Sequence, residues 1–312
     1  MTVGLVDEMN DAPAQFTRNT IDVHGSIGAE WLRRLPGLIS ECESRWSMTV
    51  QRPFEHLSYN YVAPAIRSDG APAILKMGVP NIELKTEIEA LRLFDGQGIV
   101  RLLDADPERG LLLLEHLKPG MPLSDLGDDS KATSIAVRVM SQIWRPAPKE
   151  HKFAAVSDWA SGLTKLRQRY DGGTGPLPRG LVEEAESRFA ELINAMGPQV
   201  LLHGDLHHDN ILAAERQPWL AIDPKGVVGE PAYEVGALLR NIAPQFAADA
   251  HPTRILKRRV YQLAEELGFD RERLRGWGLA QAVLSAWWSL EDHGQGWEWA
   301  ISCAETLSQI EV

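Results

Sequence analysis

The chain has 312 residues, 44% of them hydrophobic and 24% charged, which fits one large or two modest globular domains and excludes collagen-like, low-complexity and membrane-bundle sequences. With 43 acidic against 32 basic residues the formal charge is −11, which argues against a broad nucleic-acid footprint and leans toward cationic small molecules. The longest apolar run, Leu111–Leu114, falls far short of the roughly 18 residues of a membrane span. The opening MTVGLVDEMNDAPAQF lacks a basic-then-apolar pattern, so no secretory signal is expected. Cys42 and Cys303 alone make neither a disulfide framework nor a zinc site, and a reduced cytoplasm is the expected compartment.

In chain order, Ser58–Ala65 and Ala73–Met77 read as short strands joined by the turn Ser68-Asp69-Gly70, a β-hairpin. Asn81 caps a helix expected to run through Phe94 and to end at Gly96 and Gly98. Ile99–Leu103 and Gly110–Leu117 form a second strand pair around the turn 106–110. After Lys118-Pro119-Gly120 the pattern becomes helical, over 130–144, 181–196, 253–267 and 274–290. Within that region, QVLLHGDLHHDNIL and PWLAIDPKG read as buried strands. The segment 171–179 is a loop between helices. The expected organisation is an N-terminal lobe over 1–115, a hinge at 116–120 and a C-terminal lobe over 121–312. The class is α+β: a small antiparallel sheet with one helix, followed by a larger, mainly helical lobe.

The informative stretch is LLHGDLHHDNIL, residues 201–212. Gly204, Asp205, Asp209 and Asn210 oppose a continuous helix, so a loop pinned by apolar runs presents His203, Asp205, His207, His208, Asp209 and Asn210. A further short strand ends at Asp223. One arrangement uses all of these: Asp205 as base for an alcohol hydroxyl, with Asn210 and Asp223 as oxygen ligands for Mg²⁺. That ion takes few protein oxygens and completes its shell with phosphates. Phosphoryl transfer needs positioning and charge neutralisation more than covalent chemistry.

His203-x-Asp205-x-x-x-x-Asn210 followed by Asp223 resembles the catalytic and metal-binding loops of the protein-kinase-like two-lobe fold. Within it, LSYNYVAPAIRSDGAPAILKMGVP, LFDGQGIVRLLDAD, LLHGDLHHDNIL and LAIDPKGVVGEPAYEVGALLRN resemble the aminoglycoside phosphotransferase family, in its streptomycin 6-phosphotransferase and hydroxyurea phosphotransferase branch. The resemblance covers about residues 50–290. It implies a transferase, an antibiotic-resistance kinase, that uses ATP or GTP with Mg²⁺. It implies that Lys76 holds the α- and β-phosphates and that Glu87 orients Lys76. Independently, Glu87 lies on the helical stripe Leu84, Glu87, Leu91, Phe94, where an unpaired carboxylate is costly. Glu83 and Glu89 are alternatives.

No G-x-G-x-x-G loop is present, so Ser58 and Asn60 or nearby backbone amides take the phosphate-loop position. The resemblance implies a hinge at Glu115 and Leu117 whose main-chain atoms meet the nucleotide base, although a buried strand would show the same apolar surroundings. His203 is expected to hold the loop by packing and hydrogen bonding, with proton transfer as the alternative. Glu234 resembles the acidic residue that anchors the loop through backbone N–H groups. His207 stands where many protein kinases carry a lysine near the transferred phosphate. Lys225, in Asp223-Pro224-Lys225-Gly226, either adds charge near the phosphates or faces water.

The C-terminal Trp287, Trp288, Trp297 and Trp299 with Glu291, Asp292 and Glu298 offer carboxylates and aromatic faces to a cationic acceptor; core packing and solvated acids are the plain alternative. No nucleic-acid or membrane partner is expected. A choline-, homoserine- or ketosamine-kinase-like acceptor would use the same fold. Rival functions are a metal-dependent hydrolase using His203, His207, His208 and Asp205 and an inactive kinase-like scaffold.

Overall fold

A computed structural model of the chain describes residues 12–242 and 252–312; the first eleven residues of the opening segment lie outside them. The chain divides into two compact units. One runs up to Gly96 and resumes over Val100–Leu117; the other takes Gln97–Ile99 and continues from Lys118. Residues 97–99 join the second unit although they fall inside the expected 1–115 lobe. The reason is local: the Ala221 N–H donates to the Gly98 carbonyl at 2.9 Å, and Ile99 forms a parallel bridge with Ala221.

The first unit opens with a helix that the sequence reading did not anticipate, α1 (Ala14–Trp46), deflected at Gly25, whose φ is 55°. Trp31, Leu35, Leu38 and Cys42 recur at i, i+4, i+7 and i+11 and are buried, the spacing of one helical face. That face packs on Ala63, Ala65, Ala73, Leu75 and Met77 of a five-stranded sheet. The sheet comprises β1 (Met48–Val50), β2 (Tyr61–Arg67), β3 (Pro72–Met77), β4 (Leu102–Asp106) and β5 (Leu111–Glu115). Its order is β1-β2-β3-β5-β4, antiparallel throughout. Strand β2 starts at Tyr61 rather than Ser58, and Ser58-Tyr59-Asn60 is loop.

Between β3 and β4 lies α2 (Ile82–Phe94). The Asn81 side chain caps it by accepting from the Leu84 N–H at 2.9 Å. The left-handed step that ends it falls on Asp95, one residue before Gly96. Strand alternation sends Leu75 and Met77 toward α1 and Lys76, opposite Leu112, to the other face. The unit therefore carries α1 beside the single helix expected.

The second unit holds two small sheets and most of the helices: β6 (Pro119–Pro122), α3 (Asp129–Ile143), β7 (Arg145–Pro146), β8 (Ala154–Ala155), α4 (Val156–Arg169), α5 (Arg179–Asn194), β9 (Val200–Leu202), β10 (Ile211–Ala214), β11 (Trp219–Ala221), β12 (Val227–Gly229), α6 (Val235–Arg240), α7 (Pro252–Leu267), α8 (Arg271–His293) and α9 (Glu298–Gln309). Helix α8 is buried on most sides, with Leu274, Trp277, Val283, Leu284 and Trp287 in the core. It is capped by Asp270 and ended by left-handed Gly294. Helices α4 and α9, absent from the sequence reading, pack on α8. None of the described helices is long and apolar enough to cross a membrane.

One fully buried cation ties this unit together. Arg259 on α7 bonds Asp129, at the start of α3, through Nη2 at 2.5 Å and Nε at 3.1 Å. Its Nη1 donates to the Leu238 and Asn241 carbonyls at 2.5 and 3.0 Å. Removing one member of such a buried set leaves the others desolvated and unpaired. Arg259→Leu is therefore expected to cost about 3–5 kcal/mol of unfolding free energy, with Arg259→Lys recovering only part, as read by chemical denaturation.

Candidate active site

Strand pairing explains why two loops of the second unit meet. Strand β9 pairs antiparallel with β12, and β10 with β11. The connection from β9 to β10, residues 203–210, must therefore lie beside the connection from β11 to β12, residues 222–226. Hydrogen bonds stitch them together: the Lys225 and Gly226 N–H groups donate to the His203 carbonyl at 2.8 and 3.1 Å, and the Ile222 N–H to the Asn210 carbonyl at 2.9 Å. The Asn210 amide and the neighbourhood of Asp223 thus come to one end of the β10–β11 hairpin. Asp223 is held in a left-handed conformation (φ 58°), which a non-glycine residue adopts only when its surroundings impose it.

The loop backbone hangs from Glu234. Its two carboxylate oxygens accept from the His203 N–H at 2.7 Å and the Gly204 N–H at 2.8 Å. Burial pushes the Glu234 carboxyl up to about 7, against the pull of those two N–H groups. Gly204 has φ 86°, and a Cβ there would stand 2.8 Å from the Trp159 ring, so a side chain is excluded twice over.

His203 is completely buried and uses both ring nitrogens. Nδ1 accepts from the Asp205 N–H (3.2 Å), which places the ring proton on Nε2, where it meets the Ile222 carbonyl at 2.7 Å. Burial pushes its pKa down to about 4, so it is a neutral strut at pH 7.

Asp205 is partly exposed, and its Oδ1 accepts from Arg240 Nη2 at 2.6 Å. His207 Nε2 stands 3.8 Å from Oδ2. Burial would raise the Asp205 pKa, but Arg240 first, then His207 and the exposed Lys225, hold it below the usual carboxylate range. The Asn210 Nδ2 group donates to the Asp205 carbonyl at 2.9 Å. This bond fixes the amide and leaves Oδ1 as its acceptor face, a hard oxygen of the kind Mg²⁺ takes. The ring of His203 lies within the field of both Asp205 and Asp223.

Arg240 and Trp159 were missed by the sequence reading. Arg240 sits inside the quoted run GALLRN, but nothing in its local pattern distinguishes it from a surface helix arginine.

Among the described residues no group of three or more His, Cys, Asp or Glu is arranged to hold a metal. The histidines of the rival hydrolase are engaged or inaccessible. His203 has no free nitrogen, the His207 Nδ1 accepts from the Asp209 N–H, and His208 is buried.

In the first unit, Lys76 Nζ meets Glu87 Oε1 at 2.7 Å, both side chains less than a tenth exposed. Ser58 is exposed and its carbonyl accepts from Asn19 at 2.9 Å. The Asn60 amide occupies the space a Cβ on Gly78 would need. The Glu115 N–H donates to the Arg101 carbonyl at 3.0 Å, and Leu117 is buried.

Of the C-terminal candidates, Glu291, Asp292 and Glu298 are exposed. Trp287 belongs to the core. Trp288 and Trp159 are half-buried and meet edge to face, with centroids 5.5 Å apart, so an aromatic pair runs from the glycine of the 203–210 loop to α8. Trp299 is 40% exposed, and its indole N–H donates to the Arg240 carbonyl at 2.9 Å.

Residues 45–293 match the family described as aminoglycoside/hydroxyurea antibiotic resistance kinase. The chain is 34% identical to streptomycin 6-kinase of Streptomyces glaucescens over 90% of this chain and 92% of that protein. It is 35% identical to hydroxyurea phosphotransferase of Kitasatospora aureofaciens over 93% and 82%. In fold it resembles a thermostable mutant of aminoglycoside phosphotransferase APH(4)-Ia solved with ADP and hygromycin B, with a TM-score of 0.61 at 16% identity, covering 87% of this chain and 97% of that one. Choline kinase LicA of Streptococcus pneumoniae gives 0.60 at 13% identity, covering 89% and 100%. The fold is the protein-kinase-like one.

His208 makes the loop sensitive to acid. It is buried, neither ring nitrogen has a hydrogen-bond partner among the described residues, and burial pushes its pKa down to about 3. An unfolded chain protonates His203 and His208 below about pH 6.5, whereas the folded chain resists until about 4 and about 3. Stability is thus fully present above that upper value and is lost as pH falls through the window. Thermal unfolding followed by circular dichroism is expected to show a lower midpoint at about pH 5 than at about pH 7. His208→Leu should lessen that loss and add about 1 kcal/mol at neutral pH, since it deletes two unpartnered buried nitrogens.

Proposed function

The chain belongs to the aminoglycoside/hydroxyurea antibiotic resistance kinases, and we propose that it transfers the γ-phosphate of ATP to a hydroxyl of a cationic amino sugar such as streptomycin, with Asp205 aligning that hydroxyl. The observation that carries this reading is the Asp205 carboxylate: ionised, partly open to solvent, and fixed at Oδ1 by Arg240 while Oδ2 faces His207. A carboxylate so held is a weak base and a good orienting group. That suits a loose phosphoryl-transfer transition state, in which the hydroxyl gives up its proton late.

Lys76, oriented by Glu87, would bind the α- and β-phosphates. Its burial favours this over an exposed strand lysine, because a desolvated ammonium is otherwise expensive. Ser58, Asn60 and the loop amides around them would serve the phosphates in place of a glycine-rich loop. With the Glu115 N–H committed to Arg101, the base would meet other main-chain atoms of 115–117. Asn210 and Asp223 would bind Mg²⁺, which when bound neutralises charge on the phosphoryl oxygens. Glu234 and His203 hold the loop; Lys225, exposed and within the field of Asp205, would face the phosphate side.

Two features favour a cationic acceptor over neutral hydroxyurea. The half-buried Trp159–Trp288 pair can take a cation against its faces. Glu291 and Asp292 follow Trp288 by three and four residues, which puts them on the same side of α8, and Glu298 opens α9.

Asp205→Asn is expected to fold and bind ATP normally but lose about 100-fold or more in kcat, measured by ADP release with streptomycin. Full turnover in that variant removes the assignment. The triple change Glu291→Gln, Asp292→Asn, Glu298→Gln should raise KM for streptomycin about tenfold while leaving KM for ATP alone. Mass spectrometry of products from streptomycin and hydroxyurea decides between the acceptors.

A further inference from the structure

We propose that Trp299 on α9 is a positioning residue for phosphoryl transfer: its indole holds the main chain of Arg240 so that the Arg240 guanidinium keeps the Asp205 carboxylate in its aligning orientation. This rests on the reading of Asp205 given above.

Helix α6 is six residues long, and as in any α-helix the carbonyls of its last turn have no partner within the helix. Side chains take them instead. Arg259 on α7 donates to Leu238 and Asn241, and the Asn241 amide donates to the Ala237 carbonyl at 2.8 Å. The Arg240 carbonyl receives the Trp299 N–H at 2.9 Å and the Cys303 Sγ at 3.6 Å. Burial pushes the Cys303 thiol up to about 12, so it keeps the proton it donates. The residue at the centre of this clamp is the one whose guanidinium reaches Asp205 Oδ1 at 2.6 Å.

Exposure separates Trp299 from the packing tryptophans. Trp277 and Trp287 are buried almost completely, whereas Trp299 is 40% exposed, so its polar edge matters more than its bulk. Rotation of an unclamped α6 terminus would move the long Arg240 side chain, and misplacing a catalytic group by about 1 Å costs up to about 100-fold in rate. Through this contact α9, which also carries Glu298, bears on the orientation of the acceptor-aligning carboxylate.

The test is a double-mutant cycle on the full chain. Trp299→Phe keeps the ring and removes the donor; it is expected to lower kcat with streptomycin about five- to tenfold, with both KM values within about twofold of the parent. Arg240→Met should lose about 100-fold, and adding Trp299→Phe to it should cost nothing more. A second readout needs no acceptor: the Arg240 Nη2–H that donates to Asp205 Oδ1, followed by ¹H–¹⁵N spectroscopy, should exchange at least about tenfold faster in Trp299→Phe.

Unchanged kcat, a rise in KM for streptomycin alone, additive losses in the double variant, or an unchanged exchange rate would each overturn the proposal. If streptomycin is not turned over, the exchange rate decides alone. Turnover retained in Asp205→Asn would instead remove the reading of Asp205, and the exchange rate would still report on the Trp299–Arg240 contact.

Discussion

The second unit depends on the crossed pairing of four very short strands. With β9 bound to β12 and β10 to β11, the two intervening loops have nowhere to go but alongside each other. Strands of three or four residues contribute little stability on their own. The arrangement persists because the loops are bonded to one another through the His203 and Asn210 carbonyls and because Glu234 grips two consecutive N–H groups. Desolvating that carboxylate is costly, as its raised pKa records. The return is a loop whose conformation is set before any ligand arrives, which is what electrostatic catalysis requires.

The global and local charges point in opposite directions. The chain carries −11 overall, yet Arg240, His207 and Lys225 surround Asp205 and hold it ionised. A negative exterior draws cations at long range, while the Arg240 guanidinium, bonded to Asp205, and the Lys225 ammonium hold one carboxylate ionised. These charges also lower the basicity of Asp205. The geometry therefore favours a group that orients a hydroxyl over one that strips its proton early.

What the sequence made legible follows from the range of each signal. The Asn81 cap, the α2 stripe and the β3 alternation are local, and together they place Lys76 and Glu87 on facing surfaces of one unit, where they meet at 2.7 Å. The loop 203–210 was legible because glycine and aspartate interrupt two apolar runs. Helix α1 was not: Gly25 and Pro36 break its pattern, and its apolar face makes sense only against the sheet it covers. Arg240 was invisible for a stronger reason. Its partner lies 35 residues away, and its orientation is fixed by Trp299, further still along the chain. Trp299 itself read as an aromatic face for an acceptor or as core packing, and neither reading anticipates that its N–H donates to the Arg240 carbonyl. Spacing rules report which face a residue occupies, not which distant carbonyl it will find.

The polar groups that build the 203–210 loop are largely committed to one another. His203 is used at both nitrogens, Asn210 through its amide N–H, Glu234 at both oxygens and the Asp205 Oδ1 by Arg240. Groups committed to one another fix the chemistry but cannot discriminate among substrates, since discrimination needs donors and acceptors whose pairing depends on what binds. On the proposed reading, selection falls to exposed polar groups, and Glu291 and Glu298 on α8 and α9 are exposed within the same unit. A division of this kind lets one fold serve many acceptors, because the ends of two helices can change while the interlocked loops stay as they are.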